Sequence, residues 1–211
     1  MASTAAPYGL RPVNLIGGQP YAGSTRLIKV ANAYGSNIFY GQPVSINAGG
    51  VVIAETGTSN VAATGVVGVF VGCTYTDPNL KYKVFKQYWP SGTVATDALA
   101  YVVDDPDVVM QAQANGSVAL TDLGANIGFG TSSGNTLNGN STTPLSASSI
   151  NTTATLPLRI VGFVDAAGSE AGDAYTDILV KWNLPAAVSS NSSNASVTMT
   201  YGHAYMNPTG V

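Results

Sequence analysis

A serine flanked by glycines, a single histidine and a short run of aspartates are the residues here that invite a chemical reading. Gly130-Thr131-Ser132-Ser133-Gly134 spells G-x-S-x-G. A serine nucleophile of that kind needs a strand before it and a helix after it, so that a strained turn exposes the hydroxyl. The flanks here are instead rich in Gly, Ser, Thr and Asn, and the only histidine, His203, lies near the far end of the sequence. Asp104, Asp105 and Asp107 offer oxygens of the type calcium takes. No liganding run continues beyond Asp107, so the pattern reads as a turn whose carboxylates bond nearby amides. Glu170 and Asp173 stand too isolated in sequence for paired-acid catalysis. One His and one Cys cannot build a zinc site within one chain. There is no glycine-rich phosphate cradle before a helix. The expectation is a protein that is not an enzyme, with no catalytic, metal-binding or cofactor-binding residues and no cofactor.

The elements that would have to position any chemistry are read from composition first. Only 9% of the 211 residues are charged while 45% are hydrophobic; an ordinary soluble domain carries about 25% charge. Much of the surface must then be Ser, Thr, Asn, Gly, Tyr and Ala. Such a surface packs on other protein at low desolvation cost. The net charge is −3, and the cations are scattered apart from Lys81, Lys83 and Lys86. Tracking phosphates needs clustered cations, so nucleic acid is not an expected partner. Lys81 and Lys83, two apart, read as guards of a strand edge. No apolar run reaches the roughly 18 residues of a membrane span, so no membrane partner is expected. Met1-Ala2-Ser3-Thr4 has neither the basic nor the apolar region of a secretory signal. Synthesis and retention in a cytoplasm until assembly are therefore expected. Cys73, alone in an apolar run, reads as a buried small hydrophobe.

Three regions are expected: an extended N-terminal arm over 1–25, a β domain over 26–183, and a linker with a C-terminal tail strand over 184–211. The arm holds Pro7, Pro12 and Pro20 among several glycines, which removes donors and raises the cost of order. Yet it carries Tyr8, Leu10, Val13, Leu15 and Tyr21. Apolar side chains on an extended arm look suited to another surface, and packing along the chain's own domain is the competing reading.

Short β-branched or aromatic runs then recur: 25–30, 37–40, 43–46, 51–54, 64–74, 81–88, 98–103, 108–114, 117–120, 155–164 and 175–182. The glycines of 64–74 predict a buried strand with a bulge or a close backbone approach. Thr121 is the expected cap of one helical turn over 121–126. Residues 130–154 read as a long loop, or a loop carrying one irregular strand. Alternation over 196–205 puts Val197, Met199 and Tyr201 on one face, ahead of Tyr205. That strand would either pair with a neighbouring subunit or close its own sheet. The fold class is all-β: a sandwich, jelly-roll or barrel-like body with arm and tail.

Several segments, in order, give a likeness to a known family. They are Ala6-Pro7-Tyr8-Gly9-Leu10-Arg11-Pro12-Val13, Gly41-Gln42-Pro43-Val44, Gly65–Gly72, Ala100-Tyr101-Val102-Val103-Asp104-Asp105-Pro106-Asp107 and Leu156–Asp165. Together they resemble the capsid decoration, or cement, proteins of tailed bacteriophages over residues 5–183. The resemblance implies a virion structural protein on the capsid exterior, commonly a homotrimer. It would bind the major capsid protein and clamp neighbouring capsomers against genome pressure. Interface residues expected from the arm and tail are Tyr8, Leu10, Arg11, Val13, Leu15, Tyr21, Val197, Met199, Tyr201 and Tyr205. The alternatives are a phage tail or fibre subunit, which should show repeats or a coiled coil, and a carbohydrate-binding or surface-layer β module, which should expose an aromatic platform near Tyr88 and Trp89.

Overall fold

The structure is a computed structural model that describes residues 4–53, 66–153, 156–164, 166 and 169–183. The described residues are nearly all β, as expected. Twelve strands follow in chain order: β1 (Arg11–Leu15), β2 (Arg26–Lys29), β3 (Gln42–Asn47), β4 (Gly50–Ile53), β5 (Gly68–Thr76) and β6 (Lys83–Lys86), then β7 (Leu99–Val103), β8 (Val108–Gln113), β9 (Asn126–Phe129), β10 (Leu145–Asn151), β11 (Leu158–Phe163) and β12 (Asp177–Trp182). They form two six-stranded sheets. One runs β1-β8-β12-β11-β9-β10; the other runs β2-β7-β5-β3-β4, with β6 also on β5.

Both sheets curl towards closure. In the second, a parallel bridge from Val30 to Val51 joins the strands at its two ends. In the first, a parallel bridge from Ala114 to Leu145 brings the end of β8 to β10, leaving β1 outside the ring. The inward residues are the β-branched and aromatic ones that favour a pleated, buried surface. One core gathers Met110, Ile127, Phe129, Leu158, Ile160, Val180 and Trp182. The other gathers Val44, Phe70, Cys73, Tyr75, Trp89 and Val102. Val69 and Val103, from the second sheet, pack in the first core and tie the two together.

The 64–74 run becomes β5 with both expected devices. Its register against β7 shifts between Phe70 and Gly72, and Gly72 has φ 136°. A Cβ on Gly68 would stand 2.2 Å from the Val103 carbonyl oxygen, so only glycine allows β5 and β7 to approach there.

Other expectations need correction. The arm is not separate: β1 pairs antiparallel with β8, and Leu10 is buried in the first core. The apolar arm residues gain more by covering their own sheet than by waiting for a partner. The helical turn is a 3-10 turn over Leu120–Asp122, and Thr121 lies inside it. Its first amide, that of Ala119, donates to the Asp122 carboxylate at 2.9 Å. Residues 117–120 form no strand, because Val118 N–H donates to the Thr176 hydroxyl at 3.2 Å instead of to a ladder. The 37–40 segment makes only isolated bridges, Ile38 to Trp89 and Tyr40 to Asn140. The tail strand over 196–205 lies outside the described residues.

Candidate interaction surfaces

The polar loop after β9 is latched to the second sheet. Ser141 N–H donates to the Tyr40 carbonyl at 2.8 Å, and Tyr40 N–H donates to the Gly139 carbonyl at 2.9 Å. Gly134 lies against the Phe39 ring, where a Cβ would come within 2.1 Å. The Ser132 hydroxyl accepts a hydrogen bond from the Gln42 amide. The side-chain Oε1 of Gln42 accepts from Phe39 N–H at 2.9 Å. Ser132 thus belongs to a docking contact, and no helix follows it among the described residues. His203 lies outside the described residues.

The aspartate cluster is split among separate partners. Asp104 pairs with Arg26, and Asp107 lies 3.7 Å from the Lys181 ammonium. Asp105 accepts from Asp107 N–H at 2.9 Å, the Asx-type turn expected of it. Trp89 is fully buried and meets Tyr75 edge-on, with ring centroids 5.3 Å apart. It is core, not an exposed platform. Cys73 is also buried, which pushes its thiol up to about 12.

The arm residues have been given structural work. Tyr8 is half-buried, and its hydroxyl donates to Asp177 at 2.8 Å. Burial, then that carboxylate, holds the phenol well above its ordinary value. The Arg11 guanidinium sits 4.6 Å from the centre of the Tyr8 ring, a cation–π contact. Leu10 is 2% exposed, and Leu15 and Tyr21 pack half-buried on the first core. Beyond β1 the chain turns back, with Leu15 N–H donating to the Gln19 carbonyl at 2.8 Å. Among the expected apolar interface residues of the arm, only Val13 faces solvent, at 45% exposure. Val197, Met199, Tyr201 and Tyr205 lie outside the described residues.

Apolar side chains are exposed elsewhere, Leu137 and Leu120 among them, and three of them share one hairpin. In the hairpin from β5 to β6, Leu80 is 56% exposed, Tyr82 58% and Phe85 72%. The turn is built by Asp77, whose carboxylate accepts from Asn79 N–H at 2.8 Å and Leu80 N–H at 3.1 Å. Those bonds hold it below the usual carboxylate value. Lys81 takes φ 61° to complete the turn. β6 then pairs with β5 from Thr76–Lys83 to Cys73–Lys86. Asp77 N–H donates to the Tyr82 carbonyl at 3.0 Å. Antiparallel bonding alternates along a strand, so Val84 and Lys86 bond inward to β5. The backbone groups of Lys83 and Phe85 point outward, and among the described residues no strand pairs with that edge.

The sequence reading singled out Lys81, Lys83 and Lys86 but not the apolar residues between them. The signal was present in Leu80-Lys81-Tyr82-Lys83-Val84-Phe85-Lys86, where apolar and cationic residues interleave. Only Val84 turns inward, onto the second core.

Comparison of the chain with family models, with curated proteins and with solved structures gave no match in any of the three.

Proposed function

We propose that this chain is a structural virion protein that binds the exterior of an assembled phage capsid and cements neighbouring capsomers. In this reading it is a binder and not an enzyme. Its partners are the major capsid protein and further copies of itself, as a homotrimer, with neither nucleic acid nor membrane involved. It is made in the bacterial cytoplasm and ends on the capsid surface. The observation that carries the reading is Phe85, 72% exposed beside a strand edge that no described strand pairs with, on a chain with only 9% charged residues. Exposed aromatics on a weakly charged surface mark protein contacts. The ordered likeness of residues 5–183 to capsid decoration proteins supplies the kind of partner. Symmetric repetition on a shell would turn modest contacts into avidity.

Quantitative mass spectrometry of purified virions tests this. A copy number close to that of the major capsid protein is expected. A handful of copies per particle would overturn it in favour of a tail or fibre subunit.

A further inference from the structure

Three of the chain's eight cations, Lys81, Lys83 and Lys86, fall within six residues, while the whole molecule carries eleven acids. None of the three is in an ion pair among the described residues; the ion pairs there are Arg26–Asp104 and Lys181–Asp107. The nearest carboxylates also hold local backbone. Asp77 is bonded to the turn amides, and Asp97 accepts from the Thr76 amide at 3.1 Å and the Thr76 hydroxyl at 2.7 Å. The segments outside the described residues offer little to balance the lysines. Glu55 and Asp165 are the only acids there, and 184–211 contains none. Asp77 acts on Lys81 and Lys86, and Asp97 on Lys83, so three ammonium groups against two carboxylates leave this edge net positive.

Lysines on a free edge ordinarily prevent indiscriminate strand pairing. A guard alone does not explain Phe85, which shares the outward-bonding positions of the edge with Lys83 and is its most exposed apolar side chain. Guarding and docking are reconciled if the edge rejects neutral or basic strands and admits an acidic one. Self-pairing of β6 would crowd the lysines of two copies along one seam. Beside the hairpin lies an open groove of about 500 Å³, bordered by Tyr75, Asp77, Lys86, Pro90 and Val94.

We propose that the free edge of β6 takes up, as an added β-strand, an extended segment of the shell protein in which carboxylates alternate with apolar residues. Backbone bonds to Lys83 and Phe85 would supply affinity, and the lysines with Phe85 would supply selectivity. Identifying the partner as shell protein rests on the function proposed above; the edge and the chemistry of its occupant do not.

The test uses the full chain in two arms. The first is binding to purified shells of the parent phage at low and high salt. The second is titration with a synthetic alternating Glu/Val octapeptide, read by the amide resonances of Lys83 and Phe85. Phe85→Ser and the triple variant Lys81→Glu, Lys83→Glu, Lys86→Glu should each weaken binding about tenfold or more, as loss of a hot-spot residue does. Lys83→Pro should weaken it further than Lys83→Ala. Proline removes only an outward N–H and is tolerated on an edge, and unchanged thermal melts confirm the fold. Shell binding by the parent chain that is unchanged in all these variants overturns the inference while leaving the proposed function standing. Peptide shifts at Lys83 and Phe85 without shell binding overturn the proposed function while supporting the edge. Equal shifts from a duplex DNA oligomer, or from a peptide of residues 196–205, overturn the assignment of an acidic strand.

Discussion

β1 and β6 are both short strands on a sheet margin, and both carry apolar side chains, yet the molecule uses them in opposite ways. β1 turns Leu15 inward just after the buried Leu10, pairs with β8 and has part of its outer side covered by the chain returning through Gln19. β6 turns only Val84 inward and leaves Phe85 in solvent with the lysines around it. Apolar content alone therefore does not mark a docking surface. What separates the two is where the backbone donors and acceptors go, since a margin whose ladder is satisfied has nothing left to offer.

This contrast can be broken by substitution. The largest effect is expected from Leu10→Ala, a fully buried truncation that should cost about 2–5 kcal/mol in urea-induced unfolding. Were the loss under about 1 kcal/mol, the arm would be an accessory and the contrast would fail. Next comes Gly9→Ala. Gly9 has φ 75° and a Cβ there would stand 2.6 Å from the Gly41 carbonyl oxygen. Strain of this kind costs about 1–3 kcal/mol, and the same unfolding measurement reads it. Phe85→Ser should leave stability within about 0.5 kcal/mol, as surface changes do; a larger loss would place Phe85 in the packing of the body.

The smallest effect concerns acid. Hydrogen bonds to Leu80 and Asn79 hold Asp77 below its ordinary 3.8, and those to Thr76 do the same for Asp97. A carboxyl whose folded value is depressed stabilises the fold fully above its unfolded value, and that contribution fades as pH falls through the folded one. Protection factors of the β5–β6 hairpin amides, corrected for the intrinsic exchange rate at each pH, should therefore fall modestly below about pH 4, while the β1–β8 ladder keeps its protection. Equal loosening of both would show that the two carboxylates do not hold the hairpin.

Much of the β architecture could be read from local pattern. The runs that became β5, β11 and β12 are apolar and β-branched over lengths that only a strand explains, and the glycines of β5 announced its bulge and close approach. β9 was not legible. Asn126–Phe129 is short, buried at every residue and opens with a buried polar side chain, so it shows no alternation. Residues 117–120 had the right composition for a strand but no neighbour to pair with, because the Thr176 hydroxyl takes the Val118 amide. The arm was misjudged for the same reason in reverse: nothing local reveals that β8 has a vacant side. For the candidate site, the lysines were visible but the exposure of Phe85 was not, since a single aromatic in a strand is more often core than surface.

The Val30–Val51 bridge, which joins the two ends of the second sheet, bears on how such a molecule tolerates crowding. Open sheets held side by side at high density can stack without limit into fibres. A sheet that ends where it began has almost nowhere for the next chain to add. Among the described residues, what that sheet still offers a second copy is the stub of β6, where like charges discourage addition.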